Sequence, residues 1–135
     1  MAELFVSLVA MDRPVWRGDA RIVVATTPEG EIGIMAGHEP VLALLVESSA
    51  LRLEEPDGSR LVVAVHGGFF SVAGNDVNVI AEVAELAEDI DLERAQAALA
   101  RIQADGQVTE EEQAALARAE TRIQVAGIAK GVASR

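Results

Sequence analysis

Residues 51–65, which read LRLEEPDGSRLVVAV, predict a β-hairpin. From Leu51 to Glu54 leucine alternates with polar residues, which is the period-two pattern of a half-buried strand. The turn sequence EPDG follows at residues 55–58, and the run LVVAV at residues 61–65 suits the returning strand. The first part of the chain is therefore expected to consist of β-strands.

The hairpin has strand-like neighbours on both sides. Residues 4–9, 21–27, 69–72 and 77–80 are rich in β-branched and aromatic residues, and turns that contain glycine or proline separate most of these runs. Many short strands of this kind are typical of an antiparallel β-sandwich or barrel. The pair at residues 67–68, two glycines, is expected to allow a bulge or a close approach of two backbones.

The composition changes in the last third of the chain, where there is no proline or aromatic residue and alanine is the most frequent residue. Asp91 is suited to cap a first helix, which should end at the DG pair of residues 105–106. Thr109 and Glu112 have the spacing of a capping box. A second helix should therefore follow them and continue to residue 133.

These patterns predict an α+β protein with a mainly β domain at residues 1–88 and a C-terminal two-helix hairpin at residues 89–135. The apolar faces of the helices carry mostly alanine, and small side chains bury little area at about 25 cal/mol per Å². We expect the hairpin to form readily but to hold weakly to the sandwich, which makes it a candidate moving part. The alternative is an ordinary surface hairpin that does not move.

Charge and composition exclude several classes of partner. The formal net charge of −11 opposes binding to nucleic-acid phosphates and to anionic lipids. The longest apolar runs, at residues 41–46 and 61–65, suit buried strands and are far shorter than the about 20 residues of a membrane span. Because the N-terminus also lacks the basic start of a signal peptide, we expect a cytoplasmic protein with no nucleic-acid partner and no direct membrane insertion.

Several common motifs of metal sites, nucleotide-binding sites and nucleophilic enzymes are not present in the sequence. The spacing of His38 and His66 matches no metal motif, and there is no cysteine. There is also no P-loop, no dinucleotide fingerprint and no nucleophile elbow. We therefore assign no catalytic residue and no metal ligand.

Residues 29–40, which read EGEIGIMAGHEP, predict an exposed and shaped loop that is suited to contact a partner. This segment resembles the epsilon-subunit signature of F-type ATP synthases. Ala36 and Glu39 replace the usual proline and alanine of that signature. The matching positions are Gly30, Ile32, Gly33, Ile34, Gly37, His38 and Pro40. Residues 15–20, 66–72 and 75–82 are similar to further segments of the family, in the same order.

The resemblance implies a non-catalytic subunit in the central stalk of the proton-transporting ATP synthase, at the cytoplasmic face of the cell membrane. The sandwich is expected to contact the gamma subunit and the c-ring. The helices are expected either to lie against the sandwich or to extend along gamma toward the alpha and beta subunits, where they inhibit ATP hydrolysis. By position in the signature, Glu31 and His38 are implied interface residues, with Gly37 as the hinge of their loop.

A second resemblance concerns ATP, which would be a regulatory ligand and not a required cofactor. Residues 90–95, IDLERA, fit the family pattern that is associated with ATP binding, and this implies roles for Ile90, Asp91, Arg94 and Ala95. The helical spacing adds Arg101 on the face of Arg94, and Arg118 on the face of Arg122. In a folded hairpin, these four guanidinium groups could converge on a triphosphate. The alternative is a helix-start pair between Asp91 and Arg94, with solvated arginines elsewhere.

The sequence leaves open a second hypothesis, which assigns the chain to a different functional class. The chain could be a free-standing β-sandwich module whose helical hairpin binds a small anionic ligand such as ATP. Such a module would have no affinity for a gamma subunit, so co-purification separates the two hypotheses.

Overall fold

The computed structural model describes residues 3–104 and 109–129, which form ten strands, one turn of 3-10 helix and two α-helices. The strands are β1 (Leu4–Ala10), β2 (Arg13–Ala20), β3 (Ile22–Thr27), β4 (Gly30–Met35), β5 (Val41–Leu44), β6 (Ser49–Glu54), β7 (Arg60–His66), β8 (Phe69–Ala73), β9 (Asp76–Ala81) and β10 (Val83–Leu86). The 3-10 turn at Ala87–Asp89 leads to α1 (Leu92–Ala104) and α2 (Glu110–Ala129). The predicted α+β class is confirmed.

The strands form a sandwich of two five-stranded sheets. The first sheet has the order β2-β1-β9-β8-β5, and the second has the order β10-β7-β6-β3-β4. Neighbouring strands are antiparallel, as predicted, except that β1 and β9 are parallel. A parallel pair needs a long connection, which the seven intervening strands supply.

Alternation along each strand places one set of side chains in the core between the sheets. On β1, Leu4, Val6 and Leu8 are buried while Phe5 is exposed. Members of the same core from the second sheet include Val23, Ile34, Leu51, Leu53, Val63 and Val65. Every buried member of this core lies between residues 4 and 84, so the packing between the sheets uses no helical residue.

Two expectations about local structure are wrong. The expected loop at residues 29–40 is a strand in its first half, because Ile32 and Ile34 alternate with Glu31 and Gly33 and pair along β3. The expected burial of residues 41–46 is wrong for Leu42 and Leu44, although Leu45 is buried as expected. Strand β5 lies at the edge of the first sheet, and Leu42 and Leu44 on it are 74% and 67% exposed.

The glycine pair after β7 allows two backbones to meet, as predicted. Gly68 has a φ of +110°, in the region that favours glycine. A Cβ atom at this position would lie 2.0 Å from the backbone oxygen of Ile80. Because that contact is far closer than atoms can approach, glycine is required where β8 leaves the turn and joins β9.

The helix starts are the predicted ones. The Arg94 backbone N–H donates to Asp91 Oδ1 at 3.1 Å, which caps α1. At the start of α2, the Glu112 N–H donates to Thr109 Oγ1 at 3.1 Å, and the Thr109 N–H donates to Glu112 Oε1 at 3.2 Å. These reciprocal bonds are a capping box. The predicted end of α1 at residues 105–106 and the last part of α2, up to residue 133, lie outside the described residues.

Helix α2 packs on the outer face of the second sheet through small side chains. Val125 is fully buried against Ala50, Val62 and Ala64 of the sheet. Ala87, Ile90 and Ile128 border this cluster. Because alanine buries less area than leucine or phenylalanine, the alanines of this cluster contribute little to the apolar contact between hairpin and sandwich.

Candidate functional site

A cleft of about 420 Å³ lies between α1, α2 and the end of β10. All four arginines with the predicted helical spacing line it, namely Arg94, Arg101, Arg118 and Arg122. Asp91 and Ala95 of the predicted set line it too. The rest of its wall consists of Glu85, Asp89, Ala98, Ile102, Ala115 and Ala119. The structure therefore brings together six of the seven residues that the sequence assigned to this site.

The seventh residue, Ile90, lies elsewhere. It does not line the cleft and instead packs against the apolar cluster under α2, beside Val62 and Val125. The amide of Ile90 donates to the carbonyl oxygen of Ala87 at 3.2 Å, which links the 3-10 turn to the start of α1. In this position, Ile90 fixes the base of the hairpin against the second sheet.

The charges of the cleft are suited to an anion. Four guanidinium groups face three carboxylates, from Glu85, Asp89 and Asp91. One oxygen of Asp91 accepts the capping bond of α1, and the structure describes no ion pair between the Asp91 and Arg94 side chains. Arg94 and Arg101 are exposed, whereas Arg118 and Arg122 are half-buried. The volume lies within the range of small-molecule sites, about 300–1,000 Å³.

Arg122 is fixed by a chain of hydrogen bonds that the sequence did not predict. Its Nε–H donates to Glu85 Oε1 at 2.7 Å, and His66 Nε2 lies 3.0 Å from the same oxygen. His66 Nδ1 is in turn 2.9 Å from Ser48 Oγ. The partners lie 37, 19 and 18 residues apart in sequence, so no local spacing could have revealed them.

The ionisation of Glu85 follows from these contacts. The hydrogen bond from His66 and then the hydrogen bond and charge of Arg122 lower the pKa of Glu85 from 4.5 to about 2, although burial alone would raise it. Glu85 is only 26% exposed and Arg122 31%. The carboxylate therefore remains charged at neutral pH and forms a partly buried ion pair with α2.

The predicted partner-contact residues lie near the two ends of β4. Glu31 is on the strand and pairs with Arg52 Nη2 at 2.8 Å. Gly37 is in the turn after the strand, with a φ of +87°, and its N–H donates to Asn75 Oδ1 at 3.0 Å. The backbone N–H of His38 donates to the carbonyl oxygen of Met35 at 3.1 Å. The Gly37 bond thus holds this turn to the β8–β9 turn, the His38 bond closes the turn itself, and Glu31 lies apart from Gly37 and His38.

An exposed apolar row crosses the outer face of the first sheet. Val9, Ile80, Phe69 and Leu44 are neighbours in register on β1, β9, β8 and β5, and we call these four residues the apolar row. Ile80, Phe69 and Leu44 are 40%, 39% and 67% exposed. Contiguous exposed apolar side chains mark contact sites for other proteins. The alternation of each strand contained this signal, but only the register shows that the four residues meet.

Neither α1 nor α2 combines the length and the hydropathy needed to cross a bilayer. Within residues 3–104 and 109–129 there is also no group of three or more side chains that could hold a metal ion.

The chain is similar to known proteins along its length. The family model described as "ATP synthase, Delta/Epsilon chain, beta-sandwich domain" matches residues 3–87. The ATP synthase epsilon chain of Rhodococcus jostii is 56% identical over 100 residues, which is 74% of this chain and 82% of the relative. The epsilon chain of Thermobifida fusca is 48% identical over 126 residues, 92% of both chains.

Chains of solved ATP synthase structures also match this chain. A chain of the mitochondrial ATP synthase of Euglena gracilis, in a structure titled as OSCP, F1 and c-ring, matches with a TM-score of 0.72 and 25% identity. The match covers 97% of this chain and 81% of that one. A chain from the central stalk and c-ring of the Tetrahymena thermophila enzyme matches with a TM-score of 0.60 over 98% of both chains, at 14% identity, and so shows the fold alone.

Proposed function

We propose, from the premise that this chain belongs to the family of ATP synthase epsilon chains, that its sandwich turns with the central stalk and its helical hairpin regulates ATP hydrolysis. Membership of the family, which the sequence resemblance predicted, makes the chain a subunit of the complex and not a catalyst by itself. The proposal further includes attachment through the complex to the cytoplasmic face of the membrane, where proton flow is coupled to ATP synthesis.

The observation that carries the proposal is the difference between the two outer faces of the sandwich. The second sheet is covered by α2 through small side chains, whereas the first sheet presents the apolar row to solvent. A partner can therefore hold the first sheet while the hairpin leaves the second. We assign the apolar row to the gamma subunit, and Glu31 at the start of β4 and the turn of Gly37 and His38 after its end to the c-ring and gamma.

The regulatory part of the proposal concerns two positions of the hairpin. In the docked position it covers the second sheet, and in the extended position it reaches the alpha and beta subunits and inhibits hydrolysis. Such an equilibrium needs two states within a few kcal/mol of each other. The small apolar contact of α2 supports that condition. ATP in the arginine-lined cleft would favour the docked position, because its ligands come from both helices.

The test is removal of all residues after Glu88 in the assembled complex. The core between the sheets uses only residues 4–84, so the truncated chain should fold and should still co-purify with gamma and the c-ring. ATP hydrolysis by the complex should rise relative to the complex with the full chain. Unchanged hydrolysis would refute the regulatory proposal, and failure of the full chain to associate with gamma would refute the stalk proposal and favour a free-standing anion-binding module.

A further inference from the structure

A charged link between the sandwich and α2 runs through the carboxylate of Glu85. Glu85 on β10 accepts from Arg122 on α2 through the same oxygen that contacts His66 on β7. His66 is only 5% exposed and is held on its other side by Ser48. Ser48, His66 and Glu85 all belong to the sandwich part of the fold, so they form a fixed acceptor into which Arg122 docks.

Arg122 has a second role because it also lines the cleft. Its ion pair with Glu85 uses Nε, and the structure describes no partner for its two terminal nitrogens among residues 3–104 and 109–129. A guanidinium group has five N–H donors in a fixed plane, so an anion can accept from the terminal nitrogens while Nε stays bonded to Glu85. One side chain can therefore contact the sandwich and a cleft ligand together.

We propose that the Glu85–Arg122 ion pair is the latch that holds α2 on the second sheet, and that an anion bound to Arg122 in the cleft strengthens the docked position through it. His66 acts as a positioning residue that orients the carboxylate of Glu85. The inference rests on the proposed movement of the helices, but the latch itself can be tested on the isolated chain without nucleotide or partner subunits. By linkage, docking and anion binding must favour each other to the same extent.

A simpler role for Glu85 predicts the opposite result. Glu85 lines the cleft and carries a negative charge, so as a mere repulsive wall it would weaken anion binding. Replacing it with glutamine would then tighten anion binding and leave the pose of the hairpin unchanged. If Glu85 instead acts as a latch, the same replacement releases the hairpin before any anion is added. The two roles are therefore separated by the pose of the ligand-free chain.

The experiment measures the pose of the hairpin in the full-length chain by double electron–electron resonance. The chain has no cysteine, so nitroxide labels can be placed at Ser59→Cys, in the exposed β6–β7 turn, and at Gln124→Cys, on the exposed side of α2. The docked hairpin should give one narrow distance distribution. We expect Glu85→Gln and Arg122→Gln each to lower the ratio of docked to undocked chains by about tenfold, because each removes a charge-assisted hydrogen bond.

The matched control is Arg118→Gln, one turn earlier on the same helix and in the same cleft. The structure describes no ion pair for Arg118 within the ranges it covers, so its loss should leave the distance distribution of the wild type. The double variant Glu85→Gln, Arg122→Gln should be no more undocked than either single variant. His66→Asn should give a smaller release with both latch residues present.

Several results would overturn the latch. The latch is refuted if Glu85→Gln or Arg122→Gln keeps the distance distribution of the wild type. It is also refuted if Arg118→Gln releases the hairpin as much as the two latch variants do. The thermal melting of each variant is measured alongside, and if Glu85→Gln does not fold, Arg122→Gln on the helix surface carries the test.

The anion arm uses inorganic triphosphate and ATP as separate probes. Either should raise the docked share of the wild type and have a much smaller effect in Arg122→Gln. If triphosphate and ATP bind without changing the docked share, the coupling is refuted. If neither binds at all, the ATP proposal and the coupling both fail, while the ligand-free comparison still decides the latch.

Discussion

The protonation of Glu85 gives the sharpest prediction for stability. Because its pKa is about 2 in the folded protein and 4.5 ordinarily, the folded form binds this proton less tightly than the unfolded chain does. The stabilisation is therefore fully present above about pH 4.5 and is lost as the pH falls toward about 2. The pKa difference corresponds to about 3 kcal/mol, and the 26% exposure of the side chain reduces our expectation to about 2 kcal/mol.

The perturbation is Glu85→Gln, which cannot ionise and keeps the side-chain length. Urea titrations between about pH 7 and about pH 2.5 give the free energy of unfolding of both proteins. The wild type should be more stable at neutral pH, and its advantage should shrink by about 2 kcal/mol as the pH falls through the carboxyl range. Glu93→Gln, at an exposed carboxylate in the first turn of α1, is the comparison for the loss of a surface charge.

The two causes of the low pKa can also be separated. His66 lies on β7 and stays beside Glu85 when the helices are removed, whereas Arg122 leaves with α2. In the chain truncated after Glu88, the pKa of Glu85 measured by NMR should therefore lie above its value in the full chain and still below 4.5. A pH-independent stability gap between wild type and Glu85→Gln, or equal pKa values in the full and truncated chains, would refute the reasoning.

Three further predictions concern the cleft, the apolar row and the glycine turn. In calorimetric titration with ATP, Arg101→Ala should weaken binding by about 10- to 100-fold and Arg17→Ala on β2 should not, because only Arg101 is a charged donor of the cleft. Equal ATP affinities of the two variants would contradict this. Leu44→Asp should reduce co-purification with gamma by about tenfold or more, whereas Asn78→Asp, on the same face but outside the apolar row, should leave it intact. Equal losses would count against the apolar row. Gly68→Ala should lower the free energy of unfolding, measured in urea, by about 3 kcal/mol or more, because the added Cβ would lie 2.0 Å from a backbone oxygen of β9. A loss below about 1 kcal/mol would show that the turn can shift.

Sequence patterns predicted the parts of the fold that depend on local chemistry. The hairpin around residues 55–58, the cap at Asp91 and the capping box at Thr109 each need only residues a few positions apart. Strand β4 escaped prediction because its two glycines and the glycine of the turn that follows it outweighed a two-residue apolar alternation. The parallel pairing of β1 with β9 has no local signal at all, since it depends on how the whole sandwich closes.

In the candidate site, too, only the features with a local sequence signal could be predicted. The arginine spacing on each helix predicted a shared face, and the fold then placed the two faces opposite each other around one cleft. The residues that hold Arg122 were missed because Ser48, His66 and Glu85 are distant in sequence and ordinary in type. The apolar row was missed because the strand order, and not the alternation of any strand, makes its members neighbours.

The two faces of the sandwich differ in how strongly they can hold a neighbour. Burying a leucine, isoleucine or phenylalanine side chain contributes about 1.5–3 kcal/mol, so a partner that covers the apolar row gains several kcal/mol from a few residues. The contact of α2 with the second sheet relies on Val62 and Val125, and its alanines, Ala50 and Ala64, add little because a methyl group removes little area from water. A hairpin held so lightly by apolar contact needs a directional link to have one docked pose, and the Glu85–Arg122 ion pair supplies it. An ion pair is also a link that a change of ligand or partner can break without unfolding the core, since no residue of that core lies in the helices.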